Sequence, residues 1–286
     1  MAEIAGIDQI LVGDSLANTM LGYKSTSEIG MNEMEIFTAA VCRGAPNTHV
    51  IADMPYKSDE TPELALENAR RLLRCGAQSV KLEGAKVEVI RTLRENGIEV
   101  MGHLGLLPQT AKNFKQRGTT EKEAEQIFQE AKILESLGVY AFVLEHIPEG
   151  LGKKITNAVS PVTIGIGAGS GTDGQVLVMH DLLGLHNKKI PPFAKKFANL
   201  FEEGVAGFRS YLKMVKGDTD NLYIKYAGEF NKTFKTKTFD ITEEVRIQKY
   251  ASKRCYVIEC GLSYGSGFSI EKDQVCTSTH VLLNDM

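Results

Sequence analysis

The sequence predicts an α/β protein in which consecutive strand–helix units surround a parallel sheet. Short apolar runs typical of strands alternate along the chain with longer stretches of helical periodicity. The strand-like runs are nearly continuous in apolar residues, as expected for strands that are buried on both faces and covered by helices. Successive runs also end in ionisable residues, which favours a (β/α)8 barrel with its functional groups at one mouth.

The strands are predicted from short apolar runs that are bounded by polar or turn-forming residues. Six runs have this form: Gln9–Val12, Val50–Asp53, Ser79–Leu82, Glu99–His103, Ala141–Leu144 and Val162–Ile166. A seventh strand is predicted within PPFAKKFANL, residues 191–200.

The two clearest helices carry start and stop signals. The first begins after Thr61 as N-cap, with Pro62 at its first position, and it ends at Gly76. The second, TTEKEAEQIFQEAKILESLG, repeats this design and ends at Gly138. A further helix, FEEGVAGFRSYLKMVK, is predicted directly after the seventh strand.

The overall composition argues against several classes of protein. With 33 basic and 36 acidic residues and a net charge of −3, the chain has no basic excess for binding nucleic acid. Its five cysteines are an odd number without a CxxC pair, which argues against a disulfide framework or zinc knuckle and favours the reducing cytoplasm. No apolar run reaches the roughly 18 residues of a membrane span, and the first residues do not read as a signal peptide.

Ionisable residues end five successive predicted strands. They are Asp14, Asp53, Lys81 together with Glu83, His103 and Glu145. A single charged residue at a strand end is explained equally well by contact with water and by a function. Five such residues on successive strands favour a functional site, because side chains at the strand ends converge at one mouth of a barrel. Several carboxylates would repel one another there without a cation. Mg²⁺, which takes oxygen ligands from one or two carboxylates plus substrate, resolves that conflict.

Several motifs that follow one another in order make the chain resemble the ketopantoate hydroxymethyltransferase (3-methyl-2-oxobutanoate hydroxymethyltransferase) family. They are LVGDSL, TAAVCRGAPNTHVIADMP, VKLEG, GHLGLLPQ, VLEHIPEGLGKKIT, IGIGAG and DGQVLVMHDLLG, and the resemblance extends from about residue 5 to about residue 215. It implies a (β/α)8 TIM barrel of the phosphoenolpyruvate/pyruvate type. It also implies a homo-oligomer, usually a decamer.

The activity implied by the resemblance is a one-carbon transfer in pantothenate and coenzyme A biosynthesis. A hydroxymethyl group passes from 5,10-methylenetetrahydrofolate, the co-substrate, to 3-methyl-2-oxobutanoate, giving 2-dehydropantoate through a Mg²⁺-stabilised enolate. The matching metal ligands are Asp14 and Asp53, with Glu83 close by. Substrate contacts map to Asp14, Ser15, Asp53 and Lys81.

The remaining chemistry maps to three residues. Lys81 would add positive charge where the enolate oxygen forms, and Glu145 matches the general base that removes the proton from C3 of the oxo acid. For His103, orienting the substrate or relaying a proton and acting as a hydrogen-bonded strand-end residue are equally good interpretations.

A glycine-rich segment, GIGAGSGTDGQ at residues 165–175, leaves two interpretations open. It does not match a nucleotide-binding loop, because Ser170 stands where the third glycine of GxGxxG is required and no lysine follows. Its glycines either allow close approach of substrate or folate or form a tight turn after a strand.

The ends of the chain depart from the family pattern. The start, MAEIAGIDQI, matches the end of the family's first helix, so we expect the barrel to lack its first strand. We divide the chain into a barrel domain at residues 1–216 and a C-terminal extension at residues 217–286. The extension matches nothing in the family, and YIKYAGEF, TFKTKTFDI and CYVIECGLSYGSGFSI alternate as short strands do.

Two other functions compete with this prediction. One is a related Mg²⁺-dependent lyase or mutase acting on phosphoenolpyruvate or isocitrate-like acids, which would lack the GHLGLLPQ and DGQVLVMHD segments. The other is a catalytically inactive relative that serves as a binding or assembly subunit. Binding of the oxo acid without turnover would favour the second.

Overall fold

A computed structural model describes residues 1–215 and two short strands, Phe268–Ile270 and Gln274–Cys276. The chain divides into two compact units, Met1–Leu200 and Phe201–Met286. The boundary that the sequence predicts between residues 216 and 217 stays a prediction. No helix of the described residues has the length and apolar character needed to cross a membrane.

The first unit alternates strands and helices. Its strands are β1 Gln9–Val12, β2 His49–Asp53, β3 Ser79–Lys81, β4 Glu99–Gly105, β5 Ala141–Glu145, β6 Val162–Ile166 and β7 Gly174–Gln175. Its helices are α1 Leu16–Thr19, α2 Met31–Gly44, α3 Pro62–Arg74, α4 Val87–Glu95, α5 Glu121–Ser136, α6 Glu149–Thr156 and α7 Met179–Leu183, with a 3-10 turn at Thr26–Glu28.

The strands form one parallel sheet whose order in space is the order in sequence. Each of β1 to β6 pairs in parallel with the strand that follows it. A helix follows most strands and returns the chain to the start of the next, as parallel pairing requires. The predicted α/β class and repeated strand–helix order are confirmed.

Six of the predicted strands are confirmed, with ends that shift by at most two residues. The seventh is wrong: residues 191–200 form no strand, and the last strand of the sheet is β7 instead. Pro191 and Pro192 have no N–H to donate to a neighbouring strand. The ring of Phe193 packs on the backbone of Gly167 and beside His146, so this segment covers the loops instead of extending the sheet.

The two faces of the sheet bury different sets of side chains. The larger apolar cluster lies between the sheet and helices α2 to α6 and includes Leu72, Ile90 and Leu134. A smaller cluster on the other face is formed by Ile51, Met101, Ala141 and Val143, with Leu11, Ile164 and Ile166 packed against it. A barrel buries branched side chains of this kind on the inner face of its sheet.

The helix boundaries follow from the signals in the sequence. The hydroxyl of Thr61 accepts a hydrogen bond from Leu64 N at 3.2 Å, and Pro62 occupies the first helical position of α3. Thr120 caps α5 in the same way by accepting from Glu123 N at 3.3 Å. Both predicted helices are confirmed.

The second unit contains the predicted helix after residue 200, α8 Leu200–Val215, whose first residue closes the first unit. It also contains an antiparallel pair, β8 Phe268–Ile270 and β9 Gln274–Cys276. The last predicted strand segment of the extension ends in β8, while YIKYAGEF and TFKTKTFDI lie outside the described residues.

Candidate active site

The carboxyl ends of β1 to β5 bring the predicted site residues together. Asp53 and Lys81 are the last residues of β2 and β3 and are paired in register. Asp14 and Glu83 follow two residues after β1 and β3, and Glu145 ends β5. Because parallel strands end at the same edge of the sheet, the strand order alone places these side chains side by side.

Asp14, Asp53 and Lys81 form the centre of this group. Lys81 Nζ donates to Asp53 Oδ1 at 2.6 Å, and Asp14 N donates to Asp53 Oδ2 at 3.2 Å. All three side chains are buried. Burial removes most of the hydration of these charges, so each charge depends on its partner for stabilisation.

The charges of the site are unbalanced toward the acidic side. Burial, reinforced by the charge of Asp53, raises the pKa of Asp14 to about 7, although Lys81 acts in the opposite direction. Burial likewise raises the pKa of Glu83 to about 8. For Lys81, burial alone would lower the pKa, but the carboxylates of Asp53, Asp14 and Glu83 outweigh it and raise the pKa. One lysine therefore does not neutralise the group, and a further cation would stabilise it.

His103 lies on β4 between two carboxylates. Its Nδ1 is 3.8 Å from Glu83 Oε1, and its Nε2 is 3.2 Å from Glu145 Oε2. The second distance suits a hydrogen bond, but neither ring nitrogen has a well-aligned partner among the described residues. Burial and the charge of Lys81 lower the pKa of His103, while Glu145 acts in the opposite direction. Burial therefore favours the neutral ring, in which one nitrogen can donate and the other can accept a hydrogen bond.

Glu145 is the most accessible of these carboxylates. Its side chain is 17% exposed, against 5% for Glu83 and 3% for Asp53. A base has to reach a substrate atom, so this accessibility agrees with the role predicted for Glu145.

Gln109 joins the site although the sequence did not single it out. Its side-chain amide donates to Asp14 Oδ2 and to Met54 O, both at 2.9 Å. Its backbone N–H points to Glu83, with Oε2 at 3.2 Å. Gln109 does not stand out among strand-end ionisable residues in the sequence, because glutamine carries no charge and this one lies four residues beyond β4. The signal that contains it is the GHLGLLPQ motif.

Ser15, the other predicted substrate-binding residue, has a free hydroxyl. Ser15 is half-buried next to Asp14, and its hydroxyl makes no hydrogen bond to another described residue, so it is available to a ligand.

The glycine-rich segment after β6 packs against other parts of the protein. A Cβ at Gly167 would lie 2.7 Å from the Phe193 ring, and one at Gly171 would lie 2.8 Å from Lys153. This packing favours the tight-turn interpretation.

The donor set at the mouth suits a hard cation. Among residues 1–215, no three acidic, histidine or cysteine side chains are gathered as a ready metal cage. Mg²⁺ does not need one, because it commonly keeps several waters and takes one or two carboxylates plus substrate oxygens. Asp14 Oδ1 makes no hydrogen bond to another described residue, and Asp53 Oδ2 accepts only the 3.2 Å contact from Asp14 N. Asp14 and Asp53 therefore fit Mg²⁺.

A cleft opens beside the charged group. It has a volume of about 390 Å³ and shares Glu83 and Gln109 with the site. Tyr56, Ala85 and Leu107 contribute apolar surface to it. Clefts of roughly 300–1,000 Å³ with apolar walls and a few polar groups are typical small-molecule sites.

Comparison with known proteins supplies an independent identification. The family model described as ketopantoate hydroxymethyltransferase matches residues 1–219. The 3-methyl-2-oxobutanoate hydroxymethyltransferase of Kosmotoga olearia is 50% identical over 222 residues, covering 76% of this chain and 83% of that protein. The enzyme of the same name from Thermotoga maritima is 48% identical over 222 residues, covering 76% and 82%.

The fold has its own counterpart among solved structures. The trigonal crystal form of 2,3-dimethylmalate lyase, described as a PEP mutase/isocitrate lyase superfamily member, matches with a TM-score of 0.50 and 14% identity. The match covers 77% of this chain and 78% of that one, and at this identity it concerns the fold alone. The family model, in contrast, matches residues 1–219, and the two relatives are 50% and 48% identical to the chain over 222 residues. The chain therefore belongs to the ketopantoate hydroxymethyltransferase family, a family of transferases.

Proposed function

We propose that this protein transfers a hydroxymethyl group from 5,10-methylenetetrahydrofolate to 3-methyl-2-oxobutanoate, giving 2-dehydropantoate for pantothenate and coenzyme A synthesis. The observation that carries the proposal is the buried group of Asp14, Asp53 and Lys81 at the strand ends, in a chain of this family. Enolisation of a 2-oxo acid adds a second negative charge to the one on its carboxylate. A site for this reaction therefore needs positive charge beside a base.

Asp14 and Asp53 would hold Mg²⁺ in this scheme, with Glu83 close by. Mg²⁺ held there would act as a Lewis acid on the oxo acid, which would acidify its C3–H bond. Lys81, held by Asp53 at 2.6 Å, orients its ammonium group toward the bound oxo acid and stabilises negative charge on its keto oxygen. The free hydroxyl of Ser15 donates to a substrate oxygen.

Glu145 takes the C3 proton. It is the accessible carboxylate of the group, and His103 Nε2 at 3.2 Å is placed to stabilise its ionised form or to receive the proton afterwards. The C3 carbon of the enolate then bonds to the methylene carbon of the folate as one of the two C–N bonds of that carbon breaks. Water displaces the second nitrogen and becomes the hydroxyl of the product, and tetrahydrofolate leaves with one proton from Glu145 and one from the water.

The cleft next to Glu83 and Gln109 favours a reaction with two substrates. A lyase or mutase that acts on a single small acid needs no further space, whereas folate is much larger than the oxo acid. The volume of about 390 Å³ bordering the site offers that space.

The setting of the enzyme is also part of the proposal. We place it in the cytoplasm, as a homo-oligomer that is a decamer in the family it resembles. Cys42 and Cys75, the cysteines whose side chains are described, are both free thiols, in keeping with a reducing compartment.

Hydrogen exchange at C3 tests the proposal before any carbon is transferred. Incubated with the protein, Mg²⁺ and D₂O but no folate, 3-methyl-2-oxobutanoate should gain deuterium at C3, as followed by proton NMR. Glu145→Gln should bind the oxo acid nearly normally yet exchange about 10²–10⁴-fold more slowly. Asp53→Ala should lose exchange together with Mg²⁺-dependent binding.

Glu99→Gln is the matched control, because Glu99 lies at the opposite end of β4 and pairs with Arg94. It should exchange at the wild-type rate. Wild-type exchange in Glu145→Gln would move the base to another residue, with His103 next. Binding of the oxo acid without exchange or turnover in the unaltered protein would instead favour the inactive relative, and cleavage of a dicarboxylic acid without folate would favour a lyase.

A further inference from the structure

We infer that Gln109 is a positioning residue for Asp14: its side-chain amide fixes one carboxylate oxygen, so that the other is presented to Mg²⁺ and the oxo acid. The inference rests on the proposed function, since it takes Asp14 as a ligand. It concerns a residue that touches neither the metal nor the reacting atoms.

The orientation of the Gln109 amide is determined by its partners. Nε2 donates to Asp14 Oδ2 and Met54 O, each at 2.9 Å, so both amide hydrogens are used. A flipped amide would place its oxygen against two acceptors, which is unfavourable. The backbone N–H of Gln109 is directed at Glu83, with Oε2 at 3.2 Å. One residue beyond β4 thus contacts groups at the ends of β1, β2 and β3.

Asp14 needs such a partner because of how an aspartate side chain rotates. The terminal torsion of aspartate is broad, so a carboxylate without directed hydrogen bonds has no fixed plane. Lys81 donates to Asp53 and not to Asp14, which leaves Gln109 as the described side chain that donates to Asp14. With Oδ2 fixed by that bond, the direction of Oδ1 is also fixed.

Gln109→Met tests the inference, because methionine has nearly the same length and cannot donate. The matched control is Asn68→Ala on α3, which removes another buried amide whose Nδ2 donates to Ser58 O at 2.8 Å. Both variants should melt at a lower temperature than the wild type. Only Gln109→Met should weaken Mg²⁺ binding, measured by calorimetry in the presence of the oxo acid, by about 10- to 100-fold.

A double-mutant cycle separates positioning from a general structural role. If Gln109 acts through Asp14, then the Asp14→Ala, Gln109→Met protein should exchange C3 hydrogen no more slowly than Asp14→Ala alone. Independent, multiplicative losses in the cycle would overturn the inference, as would unchanged Mg²⁺ binding in Gln109→Met. Should the methionine variant not fold, Gln109→Asn, whose amide is one methylene too short to reach Asp14, serves with the same expected weakening.

Failure of the inference and failure of the proposed function give different results. A wild-type protein that neither binds Mg²⁺ with the oxo acid nor exchanges its C3 hydrogen contradicts the proposed function. A wild type that does both, with a Gln109→Met variant that matches it, contradicts the positioning role alone.

Discussion

Gly105, the last residue of β4, lets the backbone pass Glu145 at close range. Its φ is +92°, and a Cβ there would collide with the Glu145 carbonyl oxygen and lie 2.8 Å from Ile147 Cγ2. Gly105→Ala should therefore destabilise the fold and displace Glu145. We expect a loss of roughly 1–2 kcal/mol for the left-handed backbone and about 1–3 kcal/mol more for the overpacking, measured by urea unfolding.

Gly97→Ala separates these two contributions. Gly97 has a similar φ of +73°, but nothing lies within 4 Å of the Cβ position. It should show only the backbone cost and should keep the wild-type rate of C3 exchange. Equal losses in the two variants would mean that the close approach to Glu145 contributes nothing.

For single residues, the sequence predicts which side chains lie at strand ends better than it predicts which side chains contact one another. Asp53 and Lys81 stand out in the sequence because strand ends are recognisable and five successive strands end in ionisable groups. Gln109 does not, because its importance lies in a hydrogen bond to Asp14, 95 residues away. Nothing in the local pattern of the chain encodes a contact of that separation.

The N-cap of α3 offers a test at the scale of a helix. Thr61→Ala removes the hydroxyl that accepts from Leu64 N, so the free energy of unfolding should fall by about 1 kcal/mol. For a domain of this size that corresponds to a melting temperature lower by about 2–4 °C. Thr92→Ala, inside α4, should act in the opposite direction by at most about 0.7 kcal/mol, because alanine is the better helix former. A free energy of unfolding for Thr61→Ala equal to that of the wild type, or above it, would contradict the capping role.

The elements that the sequence predicted correctly are those with strong local signals. Apolar runs such as Ala141–Glu145 and capped helices such as Pro62–Arg74 are specified by their own residues. β7 has only two residues, Gly174 and Gln175, and carries no periodicity. Its place in the sheet depends on pairing with β6, so tertiary contacts and not propensity determine it.

Ligand binding should stabilise the whole folded unit, because the site is assembled from five strands and exists only in the folded state. Mg²⁺ and 3-methyl-2-oxobutanoate together, at about 100 times the Kd, should add about 2.7 kcal/mol to the free energy of unfolding. Differential scanning calorimetry should therefore show a higher melting temperature with both ligands. The melting temperature of Asp53→Ala should not rise with the ligands. That of Thr61→Ala should start lower than in the wild type and rise by the same amount. An equal increase in Asp53→Ala would place binding elsewhere.

The agreement between strand order in space and in sequence also bears on how the protein is made. Each of β2 to β7 pairs with the strand that precedes it in the chain. Closing a short loop costs less conformational entropy than closing a long one, so neighbouring strands pair most readily. During synthesis the amino-terminal strands leave the ribosome first. Each later strand therefore leaves the ribosome after the strand with which it pairs. The hydrogen bond between Asp14 and Gln109 can form only after the chain beyond β4 has been synthesised.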